Sequence, residues 1–317
     1  MPMRTEELAK PRALVHGSPV RIVSPASGVE EVKLRRGLAE LERLGLRPSF
    51  SDSVLAREGY FAGSPESRAR DLASALTESD TRAVIASRGG YGCVYLLDAL
   101  DRLDPMRPKA LVGFSDLTVL LSLAWHRWSW VTFYGPMVAA GFDSGAGKPD
   151  GYDERSFRLA LETASGGWEV PLDAEPLVEG AGEGRIVGGC LTLVRSLIGT
   201  EWEPDTDGAI LLLEDCNMKP YQVDRALMHL KLAGKFDGVR AFLLGDFPGC
   251  EPALRGEPGV RDVLLRLLAP YGVPVVWAAP VGHTRRPMLT IPLGVRARLE
   301  SRGSCRLEIL ESAVISA

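Results

Sequence analysis

Short apolar runs alternate with longer amphipathic stretches through the first part of this chain, and that alternation limits the folds open to it. Val20 to Ser24 (VRIVS) reads as a strand stopped by Pro25, and Val29 to Leu44 as a helix closed by Gly45. Glu66 to Leu76 predicts a second helix, Ala83 to Ala86 (AVIA) a strand, and Tyr91 to Leu100 a further helix. Ala110 to Phe114 is then a strand that leads into the helix containing Trp125. Strands separated by helices of this length pair in parallel, and the crossover helices cover both faces of the sheet. Ligands in such sheets sit beyond the carboxyl ends of the strands. Ser24, Arg88 and Ser115 all fall at or just after such ends, so one crevice can hold all three.

The composition shifts between Gly141 and Gly184, where SGAGKPDG, SGG and EGAGEG surround a single helical stretch, Glu154 to Ala164. Clusters of this kind mark loops, and the segment reads as a connector. Beyond it come a helix from about Leu191 to Leu197, a strand Ala209 to Leu213 (AILLL), a helix Val223 to Leu232, and strands at Val239 to Leu244 and Val273 to Trp277. The tail, LTIPLGVRARLE followed by SCRLEILES, alternates as antiparallel strands do. A length of 317 residues allows two domains. The expected division is an N-terminal domain over 13–140, a connector over 141–183 and a C-terminal domain over 184–313.

Charge narrows the partners. Lys and Arg number 37 against 41 Asp and Glu, a net charge of −4 with no basic block, so nucleic acid has no electrostatic footprint here. Cysteines 93, 190, 216, 250 and 305 are scattered and form no C-x-x-C pair, which favours free thiols in a reducing compartment. The first residues, MPMRTEELAKPRALVHG, carry both signs of charge and lack the apolar core of a secretory signal. No apolar stretch approaches the ~20 residues that span a bilayer. The expected location is the cytoplasm.

Ser115 and Asp116 stand where a buried strand turns into a helix, two residues after Gly113. Both are good helix caps. A serine on a tight strand-to-helix turn is equally the signature of a nucleophile elbow, and the fragment alone leaves both readings open. A serine nucleophile needs a base, usually histidine. Of the four histidines, His16 lies near the N-terminus and His126 and His229 within helices, whereas His283 follows the strand VPVVWAAP on a loop, PVGHTRRP. A third group would be an acid that orients the imidazole. AILLL runs into Glu214 and Asp215, either of which can also be a helix-capping or surface carboxylate.

Two glycine-rich turns remain. SRGGYG (Ser87 to Gly92) could cradle an anion on its backbone N–H groups or contribute to an oxyanion hole, but it lacks the spacing of a nucleotide loop. IVGGCL (Ile186 to Leu191) is equally compatible with close backbone packing. The histidines are too dispersed for a metal motif, so metal-dependent hydrolysis is disfavoured.

Taken together, these stretches resemble the LD-carboxypeptidase family of serine peptidases, which includes muramoyl-tetrapeptide carboxypeptidases and microcin C immunity proteins. The similar pieces are RIVSPAS (21–27), YFAGSPESRARDL (60–72), ASRGGYG (86–92), PKALVGFSDLT (108–118), GPM (135–137), VGGCLTLVRSLIGT (187–200), LLLEDCNMKPYQVDRAL (211–227) and PVGHTRRPMLTIPLG (280–294). They run in family order over nearly the whole chain. The resemblance implies a catalytic triad of Ser115, Glu214 and His283, and an oxyanion hole from the backbone N–H groups of Gly90 and Asp116. Two departures stand out: Tyr134-Gly135-Pro136 replaces the usual His-Gly-Pro, and Cys190 stands where asparagine is common.

The expected architecture is α/β, with an N-terminal, mostly parallel, Rossmann-like sheet domain and a C-terminal α/β domain whose mixed sheet is partly barrel-like. The resemblance implies, as the expected reaction, hydrolysis of the amide between the L-centre of a diamino acid and the terminal D-alanine of a cytoplasmic murein tetrapeptide. Arg88 is the candidate for the substrate's free carboxylate, against a structural salt bridge. No cofactor and no metal are expected. The expected partners are a small peptide substrate and a second copy in a homodimer, with neither nucleic acid nor membrane. One rival activity is hydrolysis of an aminoacyl-adenylate analogue such as processed microcin C, with Trp168 or Trp202 as an adenine platform. Another is a non-catalytic nucleotide-binding module that uses SRGGYG.

Overall fold

The computed structural model describes residues 8–105, 107–254 and 256–317. In chain order the first half contains β1 (Pro19–Val23), α1 (Glu31–Arg43), β2 (Arg47–Phe50), α2 (Pro65–Thr77), β3 (Ala83–Ala86), α3 (Leu97–Asp101), β4 (Ala110–Gly113), α4 (Thr118–Trp128), β5 (Thr132–Tyr134) and α5 (Glu154–Glu162). The second contains β6 (Trp168–Pro171), β7 (Glu175–Val178), β8 (Ala181–Cys190), α6 (Leu191–Ser196), β9 (Ala209–Glu214), α7 (Pro220–Leu232), β10 (Ala241–Gly245), α8 (Val260–Leu268), β11 (Val275–Ala279), β12 (Ile291–Leu293), β13 (Arg296–Glu300) and β14 (Arg306–Ile309). No helix among the described residues is long and apolar enough to cross a membrane.

The first sheet has the order β12-β5-β4-β3-β1-β2, parallel throughout except for β12, which runs antiparallel to β5. Every residue of β3 and of β4 is buried, as expected of strands covered on both faces. The covering helices follow from their spacing. On α1 the buried residues are Leu34, Gly37 and Leu41, one face of a 3.6-residue period. Gly37 is required there, since a Cβ would lie 2.0 Å from the Val138 carbonyl oxygen. α2 begins with Pro65 behind Ser64, whose side chain accepts the Ser67 N–H at 3.3 Å.

The second sheet has the order β6-β14-β13-β8-β9-β10-β11-β7. Its centre, β8 to β11, is parallel, and antiparallel strands flank it on both sides. Only two residues, Glu179 and Gly180, separate β7 from β8, yet those strands lie four places apart in the sheet. The sheet must therefore curl until its β7 edge approaches β13, where the Ser301 hydroxyl donates to the Val178 carbonyl at 2.8 Å. This curl is the barrel-like character of the second half. α7 and α8 cover its outer face with Val223, Leu227, Leu230, Leu264 and Leu268, all buried.

Two features differ from the expectation, and a third refines it. Residues 168–183, expected within a connector, include β6, β7 and the start of β8; in β6, Trp168 and Val170 are buried and alternate with exposed Glu169 and Pro171. The tail forms antiparallel strands as expected, and these divide between the two sheets. Gly294, at φ +94°, breaks the tail, so that Ile291–Leu293 join the first sheet and Arg296–Glu300 the second. The helix expected over Tyr91 to Leu100 is reduced to a 3₁₀ turn, Cys93–Leu96, and the five-residue α3, because Gly92 at φ +130° delays its start.

Candidate active site

β4 delivers the serine. Phe114 is extended, and Ser115 then takes φ +63°, a left-handed conformation rare for a residue with a Cβ. Holding a non-glycine residue there costs about 1–3 kcal/mol and persists only where the surroundings enforce it. They do so by close packing. A Cβ on Gly113 would lie 2.7 Å from Leu117 Cγ, and one on Gly89 would lie 3.0 Å from Ser115 Cβ and 3.2 Å from its Oγ. Neither residue at this turn caps α4. No side-chain cap hydrogen bond is made at the start of the 3₁₀ turn or of the helix, and the Asp116 carboxylate instead accepts the Cys93 N–H at 2.8 Å.

That bond ties the elbow to the SRGGYG turn. Asp116 is buried, and burial raises its carboxyl above the usual range while the Cys93 N–H opposes the shift. Gly90, at φ +118°, lines the same cavity as Ser115; a Cβ there would lie 2.3 Å from Ser27 Oγ. The Ser27 hydroxyl also accepts the Tyr91 N–H at 3.2 Å.

β9 delivers the acid. All six of its residues are buried, and Glu214, the last, has no exposed surface. Burying an unpaired carboxylate costs several kcal/mol, so its partners decide whether it can be there. One oxygen accepts both the His283 backbone N–H at 2.8 Å and the imidazole Nδ1 at 2.8 Å. The other accepts the Tyr134 phenol. Glycines make room: a Cβ on Gly282 would lie 2.3 Å from Glu214 Cδ, and one on Gly245 would lie 2.5 Å from its Cβ. Asp215 turns elsewhere. Its carboxylate accepts the Thr192 N–H and hydroxyl at 2.8 and 2.7 Å, at the start of α6.

His283 therefore presents Nδ1 to Glu214, which leaves Nε2 as the position for proton transfer. Burial alone would lower its pKa. The Glu214 charge, helped by the Cys216 sulfur, overrides burial and holds the imidazolium above the ordinary histidine range. Its ring meets Phe114 edge to face at 5.1 Å. The cavity holding Ser115 and His283 has a volume of about 230 Å³ and is also lined by Glu30, Lys33, Arg88, Gly89, Gly90, Met137 and Ala139. Neither Arg88 nor Lys33 forms a salt bridge among the described residues, so the ion-pair alternative for Arg88 is not realised.

Other candidates lie apart. Ser24 is buried, donates to the Val54 carbonyl at 2.9 Å and pairs with Ser87 at 2.6 Å, so it is scaffold and not cavity lining. His16 is exposed, and His229 accepts from Arg195 at 3.2 Å. Trp168 is buried in β6, and neither it nor Trp202 lines the catalytic cavity. All five cysteines are free. The IVGGCL turn serves close approach: a Cβ on Gly189 would lie 2.8 Å from the Thr118 side chain and 3.0 Å from the Tyr134 ring. Sequence reasoning had not identified Tyr134, Thr118, Lys33 or Cys216 as parts of the site. Only Tyr134 carried a signal, as the first residue of an altered His-Gly-Pro.

Comparison with known proteins identifies the family. Residues 20–135 match the LD-carboxypeptidase N-terminal domain and residues 183–299 the LD-carboxypeptidase C-terminal domain. The murein tetrapeptide carboxypeptidase of Pseudomonas aeruginosa is 34% identical over 83% of this chain and 87% of its own. Among solved structures, the muramoyltetrapeptide carboxypeptidase of Oxalobacter formigenes superposes with a TM-score of 0.81 at 30% identity, covering 93% of this chain and 99% of that one. The microcin C7 self-immunity protein superposes with a TM-score of 0.84 at 25% identity, covering 97% and 99%. With both halves matched in order and relatives similar over most of its length, the chain belongs to the LD-carboxypeptidase family, a family of peptidases.

Proposed function

We propose that this protein is a serine LD-carboxypeptidase that removes the terminal D-alanine from murein tetrapeptides during cytoplasmic peptidoglycan recycling. The observation that carries this reading is one cavity lined both by a serine held at φ +63° and by a histidine whose Nδ1 is 2.8 Å from a fully buried glutamate. His283 Nε2 takes the Ser115 proton as Oγ attacks the carbonyl carbon of the L-centre. Glu214 fixes the ring tautomer and stabilises the imidazolium. The N–H groups of Gly90 and Asp116 stabilise the oxyanion, typically the largest single contribution to such a reaction. As the intermediate collapses, His283 passes the proton to the departing D-alanine amine, and water then hydrolyses the acyl-serine by the same route in reverse. Arg88, lining the cavity without an ion-pair partner among the described residues, receives the substrate's terminal carboxylate.

A second reading, hydrolysis of an aminoacyl-adenylate analogue, is supported by the likeness to the microcin C7 self-immunity protein. It lacks the expected adenine platform, because Trp168 and Trp202 stand outside the cavity. Incubation of the protein with a murein tetrapeptide and, separately, with an aminoacyl sulfamoyl adenosine, followed by mass detection of products, distinguishes the two. Release of D-alanine is the expected outcome. Turnover of the nucleoside compound alone would replace the first reading with the second, and binding without turnover that persists in Ser115→Ala would favour a non-catalytic module.

A further inference from the structure

Tyr134 ends β5 in the first sheet, whereas Glu214 ends β9 in the second. The phenol donates to one Glu214 oxygen and accepts the Ser115 N–H at 3.3 Å. It thus lies between the backbone of one proposed triad member and the carboxylate of another. The tyrosine is fully buried, and burial, followed by the Glu214 charge, pushes its pKa well above the usual value. Both causes favour the neutral phenol, the form that can donate to the carboxylate. The other Glu214 oxygen is already occupied by the two His283 donors, so the phenol completes the carboxylate's coordination.

The neighbourhood is built around this contact. Gly189, at φ +142°, leaves room for both the Tyr134 ring and Thr118. The Thr118 hydroxyl donates to the Ser115 carbonyl at 2.7 Å and accepts the Cys190 N–H at 3.1 Å, a second link between the sheets at the same place. We propose that Tyr134 is a positioning residue of the triad, its phenol holding the Glu214 carboxylate and the Ser115 backbone in register across the junction of the two sheets. The proposal rests on the serine-triad reading above. Without the phenol, one carboxylate oxygen loses its donor, Glu214 gains a rotational freedom it now lacks, and the imidazole it carries is no longer aimed by a fixed partner.

A double-mutant cycle on kcat tests this. Tyr134→Phe keeps the ring and removes the hydroxyl. It lowers kcat about ten- to a hundredfold, the usual effect of losing an outer hydrogen-bond partner of a functional group, with KM changed less than about threefold. In a Glu214→Gln background the same change costs less than about threefold, because the residue acts through the charged carboxylate. A purely structural role would give equal losses in both backgrounds, and that result, or an undiminished kcat in Tyr134→Phe, overturns the proposal. If Glu214→Gln alone is nearly normal, the triad reading itself fails. Thermal unfolding is followed in parallel. Should Tyr134→Phe fail to fold, Tyr134→His, which returns an N–H donor, is expected to keep kcat within about tenfold of the original, and a folded Tyr134→His as slow as Glu214→Gln contradicts the proposal.

Discussion

Two strands, β4 and β9, lead to Ser115 and Glu214, and these two residues are held in opposite ways. At the end of β4 the backbone is constrained and the side chain left unencumbered: Ser115 sits at φ +63°, and its hydroxyl lines an open cavity. At the end of β9 the backbone is ordinary strand and the side chain is constrained, with each Glu214 oxygen occupied by donors and no surface exposed. The difference fits the roles proposed for the two groups. A nucleophile must present a free lone pair, so only its backbone can be fixed. An orienting acid works by being immobile and charged, which in a buried site requires saturation with donors.

The largest test of this contrast removes the unencumbered side chain. Ser115→Ala is expected to lower kcat by about 10⁶-fold, the scale of losing a triad nucleophile, while stability changes little because the hydroxyl caps no helix. Steady-state assay beside thermal unfolding checks it, and residual activity of a few per cent in a folded variant contradicts it. At the other strand end, Glu214→Gln is expected to cost about 10⁴-fold in kcat, by analogy with removing the charge of a comparable triad acid. Asp215→Asn, adjacent in sequence, is expected to leave kcat within about tenfold and to lower stability by about 1 kcal/mol, because the hydrogen bonds that its carboxylate accepts from Thr192 lose their charge. The reverse outcome would mean that the strand register assigns the wrong acid.

Arg88→Met is expected to raise KM for a substrate with a free carboxylate by about tenfold or more, with a smaller effect on the corresponding amide, since charge-assisted hydrogen bonds contribute about 1.5–3 kcal/mol. Equal KM changes for acid and amide would remove Arg88 from the binding site. The pH profile sharpens the β9 side. The proposed mechanism requires neutral His283, and Glu214 raises its pKa, so kcat/KM is expected to climb with pH through a value above the ordinary 6.5. In Glu214→Gln that limb is expected to move to lower pH. A limb already below 6.5 in the unaltered protein would show that the carboxylate does not act on the imidazole as described.

Much of this was legible in the sequence, for reasons tied to local pattern. The strands AVIA and ALVG announce themselves because parallel strands covered on both faces are continuously apolar. The elbow is visible because its features lie within a few residues, and the acid because it follows five apolar residues directly. What was not legible depended on partners distant in the chain. β5 has three residues, too few for a period, and Tyr134 meets Glu214 across 80 positions. Cys216 gave no signal beyond an isolated thiol, yet folding sets its sulfur beside His283. The division of the tail between two sheets depends on what surrounds Gly294, where a Cβ would lie 2.6 Å from Leu8 and 2.7 Å from Trp125. Two side chains from far away decide that, and no window of local sequence contains them.

The central claim is that Ser115 is acylated. A depsipeptide analogue, in which D-lactate replaces the terminal D-alanine of a murein tetrapeptide, makes the first step easier and lets the intermediate accumulate. Rapid quenching followed by intact mass measurement and peptide mapping is expected to find the protein heavier by one acyl tripeptide, attached at Ser115 and absent in Ser115→Ala. Turnover of the analogue with no acyl adduct at Ser115, or with the adduct at another residue, would contradict the account.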